Sequence, residues 1–360
     1  MKISINLKNF KNSYGGGNQF RKSLQNFLIK KEHKVVNNLN DNDIDIILLI
    51  SPFKWQSSSS YSYIDAKIYK LKHPNTIIVH RVNECDERKK TNYMNKNLIK
   101  ANKSADYTIY ISKWLKSLFE KRGVDKNKPS EIIRNGADAE IFNPKGKSKW
   151  KPGMKMKIVT HHWSDNYMKG HDIYQRLDKL LERKKYKDRF EFSFIGRVPK
   201  YLNYKNTNIV LPKSGQQLAK ELKKNHLYLT ASRCEPAGMH HIEAGCCGLP
   251  ILFINSGALP EYCSDYGLMF EENNFEEKLM EIYNNYDKYS KKLEDYKYTA
   301  ERMCKEYLNL FEKLYSQKKE TERKRKNPLF LNVEVFLLEL KEIYEFLLIK
   351  FYFVKNKLIK

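Results

Sequence analysis

The chain has 360 residues, with 67 Lys and Arg against 42 Asp and Glu, a net charge of +25, and a hydrophobic fraction of 41% that includes 24 Tyr. At roughly 150 residues per domain, that length fits two domains and excludes a mini-protein stapled by disulfides or a metal. The 18 Phe and 24 Tyr exclude a disordered chain, and no stretch of 18 uncharged apolar residues is present to span a membrane.

The charge balance by itself points to an anionic partner such as nucleic acid, a membrane or a phosphorylated substrate. Yet 54 of the basic residues are Lys and only 13 are Arg, while Asn reaches 32. A joint excess of Lys, Asn, Tyr and Ile is what AT-rich codons produce. No nucleic-acid module accompanies it, so nucleic acid is disfavoured as a partner. The six cysteines, Cys85, Cys234, Cys246, Cys247, Cys263 and Cys304, follow an opening segment, Met1 to Lys11, that has no apolar signal core. A reduced, cytoplasmic setting is the expectation.

Residues Ile3 to Leu7 alternate as a strand, and a loop ends in Gly15-Gly16-Gly17. A helix is predicted from Asn18, with Phe20, Leu24, Phe27 and Leu28 at helical spacing, and Lys34 to Val36 completes a βαβ opening. Apolar runs at Ile44 to Ile50, Thr76 to Val79, Tyr107 to Ile111 and Glu131 to Arg134 continue a parallel sheet covered on both faces. After the linker Asn143 to Gly153, strands recur at Met156 to Thr160, Phe190 to Ile195, Thr207 to Val210, Leu227 to Thr230, Ile251 to Asn255 and Gly267 to Phe270. Two such series predict an α/β architecture of two facing, Rossmann-like, doubly wound domains. Their active site belongs in the cleft at the carboxyl ends of the strands. The domains are read as residues 1–150 and 151–317, followed by 318–360, a charged linker (Lys318 to Lys326) and an apolar helical tail.

The most informative stretch is Ser232 to Glu261, SRCEPAGMHHIEAGCCGLPILFINSGALPE, which follows a strand and holds Glu235 and Glu243 with seven residues between them. A carboxylate accepts two hydrogen bonds from adjacent hydroxyls, so paired glutamates beside a glycine-rich turn suit a polyhydroxylated ligand such as a sugar and a ribose. The helix read from His241 could turn its N-terminus to a phosphate. By spacing alone, two surface glutamates on a loop and a helix explain the pair equally well.

Glu-Pro, Gly238, Glu243-Ala-Gly-Cys-Cys-Gly-Leu-Pro and Gly257-Ala-Leu-Pro-Glu261 resemble the E-x7-E signature of retaining GT-B glycosyltransferases, close to glycosyltransferase family 4. Other segments match in the same order: Gly15 to Gly17, Ile111-Ser112, Ile132-Ile-Arg-Asn-Gly-Ala-Asp138, Phe142-Asn-Pro144 and Lys169-Gly170. The resemblance implies that Glu235 contacts the transferred sugar and Glu243 the ribose. It implies that Ala237, Gly238 and Met239 touch the sugar through backbone amides, that Gly16 and Gly17 approach the donor, and that Lys169 neutralises the diphosphate. The family pairs that lysine with an arginine five residues earlier, where this chain has Ser164; Arg197 is the expected replacement, and Arg88 is placed outside the cleft. His80, followed by Arg81 and Asn83, is read as ending the strand Thr76 to Val79. The family's functional histidine would then be His80, with Arg81 and Asn83 on the acceptor side.

Two patterns are read as decoys. Asp43-Ile-Asp45 has a D-x-D spacing used for metal in GT-A transferases, but it opens a strand in a polar run and reads as strand-edge acids. His240, His241, Glu243, Cys246 and Cys247 lack a second ligand pair at zinc spacing, so no metal is expected.

The resulting expectation is a metal-independent hexosyltransferase without a resident cofactor, using a UDP-, GDP- or ADP-sugar as co-substrate and a glycan, lipid or protein acceptor. The competing readings are a non-catalytic sugar- or polyanion-binding protein on a GT-B fold and a nucleotide-sugar epimerase. The tail, Leu329 to Lys360, lies outside the resemblance. Its aromatic-rich helix after Arg323 to Lys326 suits peripheral attachment to the anionic cytosolic face of a membrane, with a lipid-linked acceptor, or packing on the body or a second subunit.

Overall fold

All twelve apolar runs form strands in the computed structural model, which describes residues 1–9, 15–320 and 328–358. The first sheet comprises β1 (Lys2–Ile5), β2 (Lys34–Val36), β3 (Ile46–Leu49), β4 (Ile77–Val82), β5 (Tyr107–Tyr110) and β6 (Ser130–Ile132), in the order β2-β1-β3-β4-β5-β6. The second comprises β7 (Met156–His162), β8 (Phe190–Gly196), β9 (Thr207–Val210), β10 (Leu227–Thr230), β11 (Ile251–Ile254) and β12 (Gly267–Phe270), in the order β12-β11-β10-β7-β8-β9. Every pairing is parallel. Strands such as β3 and β11 are buried along their whole length, as helices on both faces require.

The helices in the first half are α1 (Gly15–Lys30), α2 (Tyr63–Lys72), α3 (Asp86–Lys89), α4 (Met94–Asn102) and α5 (Lys113–Lys121). Those in the second are α6 (His171–Leu180), α7 (Lys184–Lys187), α8 (Gly215–Lys223), α9 (Met239–Cys246), α10 (Leu259–Cys263), α11 (Phe275–Asn284), α12 (Tyr286–Lys291), α13 (Ala300–Glu320) and α14 (Pro328–Leu358). The architecture is the expected pair of doubly wound domains.

Strand order fixes where ligands can bind. The first sheet reverses between β1 and β3, and the second between β7 and β10, which opens a crevice beyond the carboxyl ends at each point. The loops there carry Gly16 and Gly17 after β1, Lys169 after β7 and Glu235 after β10.

Two departures from the sequence reading, at α1 and at β4, matter for the site. Helix α1 begins at Gly15 and not Asn18, so the glycines form its first turn; residues 10–14 lie outside the described residues. Strand β4 runs on to Val82, which puts His80 mid-strand. Helix α13 crosses back to the first domain, where Tyr307 and Phe311 join Ile3, Phe20 and Leu24 in one buried cluster. The charged linker expected at Lys318 to Lys326 falls partly in α13, and its residues 321–326 lie outside the described residues. Beyond it, α14 folds back onto α2 of the first domain.

Candidate active site

A cavity of about 350 Å³ lies between the two halves. Gly16, Gly17, Arg81, Asn83 and Arg88 line it from the first domain, and Glu235, Pro236, Ala237, Gly238 and Met239 from the second. The first turns of α1 and α9 meet there: a Cβ on Gly16 would lie 2.7 Å from Met239 Cγ. Two helix starts at one cavity turn unpaired backbone N–H groups toward it, which favours an anion.

Glu235 is only 2% exposed, yet it is held as a carboxylate. Lys169 Nζ donates to its Oε2 at 2.8 Å and Arg88 Nε to its Oε1 at 3.0 Å. Burial opposes the charge, but the Arg88 guanidinium and the Lys169 ammonium outweigh it and lower the Glu235 carboxyl to about 2. Burial also lowers the Lys169 ammonium, to about 8, with Glu235 opposing and Arg88 adding to the shift. The negative charge of Glu235 raises Arg88. Two cations on one carboxylate leave this corner with net positive charge, which suits a diphosphate.

The local chain explains each position. Glycine is required at Gly257, where φ is 62° and a Cβ would come within 2.4 Å of the Glu235 backbone nitrogen; Ala258 N–H then donates to the Glu235 carbonyl at 2.8 Å. Gly170 takes φ of 83° so that the turn can pack against Ala231, which brings Lys169 beside the end of β10. Arg88 sits on α3, whose start is fixed by Asp86: its carboxylate accepts from the Met94 and Asn95 backbone N–H groups at 2.8 and 2.9 Å.

Glu243 lies one helical turn into α9, buried, and accepts from His161 Nε2 at 2.9 Å. Around it, His162, His240 and His241 are buried and depressed by burial, His241 to about 4. His162 Nε2 bonds Tyr174 at 2.8 Å and His240 Nε2 bonds Thr230 at 3.0 Å. Among the described residues, no three His, Cys, Asp or Glu side chains converge as a metal-ligand set.

On the first-domain wall of the cavity, Arg81 is buried over the Phe20 ring, 4.0 Å from its centroid. Its Nη2 donates to Asn135 Oδ1 at 2.8 Å, and Asn135 Nδ2 donates to the Ala237 carbonyl at 2.9 Å, so this chain crosses between the halves at the cavity. Arg81 Nη1 is buried without a partner among the described residues. Asn83 also lines a larger cavity of about 760 Å³, which opens at the reversal of the first sheet between Ser51, Trp55, Tyr93 and Phe353.

Not every expected residue arrives at the cleft. His80 alternates with Arg81 along β4 and therefore faces the opposite side of the sheet, fully buried, with Nδ1 against Asn102 Nδ2 at 3.2 Å. Burial lowers its imidazole to about 3. Arg197 is exposed outside the cavity, its backbone N–H donating to the His162 carbonyl at 3.2 Å. Arg88, which the sequence reading puts outside the cleft, instead lines the cavity. With β4 ending at Val82, residues 83–90, with α3 among them, follow its carboxyl end and reach the cavity. The acids of the D-x-D decoy are spent locally, Asp45 accepting from the Lys2 backbone N–H at 2.8 Å and Asp43 pairing with the Lys2 ammonium.

Residues 155–303 match the family described as Glycosyl transferases group 1. A probable sucrose-phosphate synthase of Thermosipho melanesiensis is 30% identical over 206 residues, which cover 51% of this chain and 47% of that protein. The chain thus spans about half the length of the curated relative it matches. Among solved structures, sucrose-phosphate synthase (tll1590) from Thermosynechococcus elongatus aligns with a TM-score of 0.61 at 12% identity, over 88% of this chain and 99% of that one. Anabaena Alr3699/HepE, solved with UDP and glucose, aligns with a TM-score of 0.61 at 12% identity, over 87% of this chain and 100% of that one. The chain therefore has the fold of the GT-B glycosyltransferases, and within it residues 155–303 are similar to the glycosyl transferases group 1.

Proposed function

We propose that the protein transfers a hexose, with retention, from a nucleotide diphosphate sugar to an acceptor bound mainly by the first domain. The observation that carries this reading is the double cation on Glu235, placed between two helix starts at the reversal of the second sheet. Glu235 and the amides of Ala237 to Met239 would hold the transferred sugar, and Glu243 the ribose. Lys169, Arg88 and the first turns of α1 and α9 would meet the diphosphate charge as it grows in the transition state.

The reaction breaks the bond between the anomeric carbon and the phosphate oxygen and forms one from the acceptor oxygen on the same face. The acceptor's proton passes to the departing phosphate, so the protein need supply no separate base. Positioning and charge stabilisation carry the rate. Arg81, whose Nη1 has no partner among the described residues, and Asn83 would orient the acceptor. Lys169 and Arg88 supply the positive charge a divalent ion supplies elsewhere, so transfer should survive a chelator.

A thermal-shift panel of UDP-, GDP- and ADP-sugars tests the donor class. A ligand at a hundred times its dissociation constant stabilises by about 2.7 kcal/mol, a shift of a few degrees or less in a chain this long. One nucleotide series should raise the melting temperature; no shift from any of them contradicts the proposal.

A further inference from the structure

Helix α14 packs on the first domain through buried Leu338 and Ile349 and through a set of polar side chains beside them. Glu342 accepts from Lys54 Nζ at 2.5 Å and also bonds the Ser62 hydroxyl. Glu345 accepts from the Tyr63 hydroxyl at 2.9 Å and lies 3.7 Å from Lys100 Nζ. Lys341 sits 5.8 Å over the Tyr63 ring, and the Tyr352 hydroxyl donates to Asn92 Oδ1 at 2.5 Å.

The outward side is apolar. At about 100° per residue, twelve large apolar residues from Leu329 to Val354, among them Val333, Phe336, Leu340 and Phe351, fall within one arc of about 140°. Each is at least 47% exposed, and between Leu329 and Val354 no charged residue falls within the arc. Over 26 residues this stripe is roughly 39 Å long. No helix among the described residues is long and apolar enough to cross a membrane, so the stripe is not a span.

We propose that α14 lies in the plane of an anionic lipid bilayer, with this stripe set into the boundary between headgroups and acyl chains. Charge favours lipid over a second copy of the chain. Two of the four acids on α14, Glu342 and Glu345, are turned inward against Lys54 and Lys100, which removes them from the outer surface. In sequence, the stripe is bracketed by Arg323 to Lys326 before it and by Lys355, Lys357 and Lys360 after it, in a chain of net charge +25 that repels its own copies. Stripe width favours lipid too. A helix-pair seam uses about two positions in seven, whereas this arc takes twelve in 26.

The packed side of the same helix reaches the larger cavity: Phe353 lines it beside Trp55 and Tyr93 at ring separations of 6.1 and 5.5 Å. If that cavity takes the acceptor, the acceptor enters from the membrane surface and is lipid-linked. That consequence rests on the transferase reading; the docking does not.

The test is co-sedimentation of the full chain with vesicles of phosphatidylcholine, with and without phosphatidylglycerol. The chain should pellet with the anionic vesicles and lose at least about tenfold in affinity when Phe336→Asp, Leu340→Asp and Leu347→Asp are combined, residues exposed enough to leave the melting temperature unchanged. A milder variant, Lys350→Glu with Lys355→Glu, should weaken binding to anionic vesicles. Undiminished binding by the triple variant overturns the proposal. So does a full chain that ignores both vesicles and sediments as a dimer that the triple variant dissolves, a result that assigns the stripe to a second copy.

Discussion

Arg88 of the first domain donates to the Glu235 carboxylate of the second at 3.0 Å, so one charge pair joins the two halves at the cavity. If Lys169 meets the donor diphosphate as proposed, Arg88 supplies the second cation that Ser164 does not. Among the described residues, Ser164 accepts from the Asn166 backbone N–H at 3.2 Å.

Arg88→Ala should therefore cut kcat/KM for the donor by about ten- to a hundredfold, the equivalent of about 1.5 to 3 kcal/mol for a lost bond to a charged group. Arg197→Ala should leave the affinity for nucleoside diphosphate unchanged, since its side chain lies outside the cavity. Calorimetric titration of both variants checks this; a larger loss from Arg197→Ala reverses the assignment.

Glu243→Gln keeps the shape of the side chain but replaces a charged acceptor of the His161 bond by a neutral one. Circular dichroism should show an intact fold, while donor affinity falls about tenfold or more. Unchanged donor affinity removes Glu243 from the ribose site.

Stability should fall in mild acid. Burial depresses His80 to about 3 and His171, His226 and His241 to about 4, below the ordinary value of 6.5. As pH drops below about 6.5 the unfolded chain takes up these protons first, so the stability present above that value is lost progressively toward pH 4 to 3. Glu235, lowered to about 2 from 4.5, adds a further loss below pH 4.5. Urea midpoints at about pH 7, 6 and 5 should descend in that order; a flat series contradicts the neutral, buried state of these rings.

Lys169 gives a second pH signature. Its ammonium, lowered to about 8, is charged below that pH and lost above it. With the free enzyme, kcat/KM should fall as pH rises through about 8, and Lys169→Arg should move the decline upward, because a guanidinium stays charged. A profile flat through that range would exclude Lys169 from the charge that meets the diphosphate.

The fold was legible because each parallel strand is a short apolar run bounded by polar helices, and Gly170, Glu235 and Gly257 sit in turns whose spacing the chain must keep. The misplacement of His80 has one cause: with β4 extended from Val79 to Val82, His80 joins the strand's alternation and faces Asn102, while Arg81 beside it faces the cavity. Strand ends depend on tertiary pairing, here His80 with Thr108 and Val82 with Tyr110, which periodicity cannot carry. The tail was ambiguous for a different reason. Its composition fits both readings, and only the inward turn of Glu342 and Glu345 separates the face that packs on α2 from the one left exposed.

The measurement that bears most directly on the transferase reading is release of nucleoside diphosphate from a panel of UDP-, GDP- and ADP-sugars by the wild-type chain and by Glu235→Gln. Wild type should release one nucleotide at a rate set by the sugar offered. Glu235→Gln should be slower by about one to two orders of magnitude, since it keeps the shape but loses the charge that Lys169 and Arg88 hold. Equal rates from the two proteins on the same donor, or no release from any donor by wild type, would contradict it.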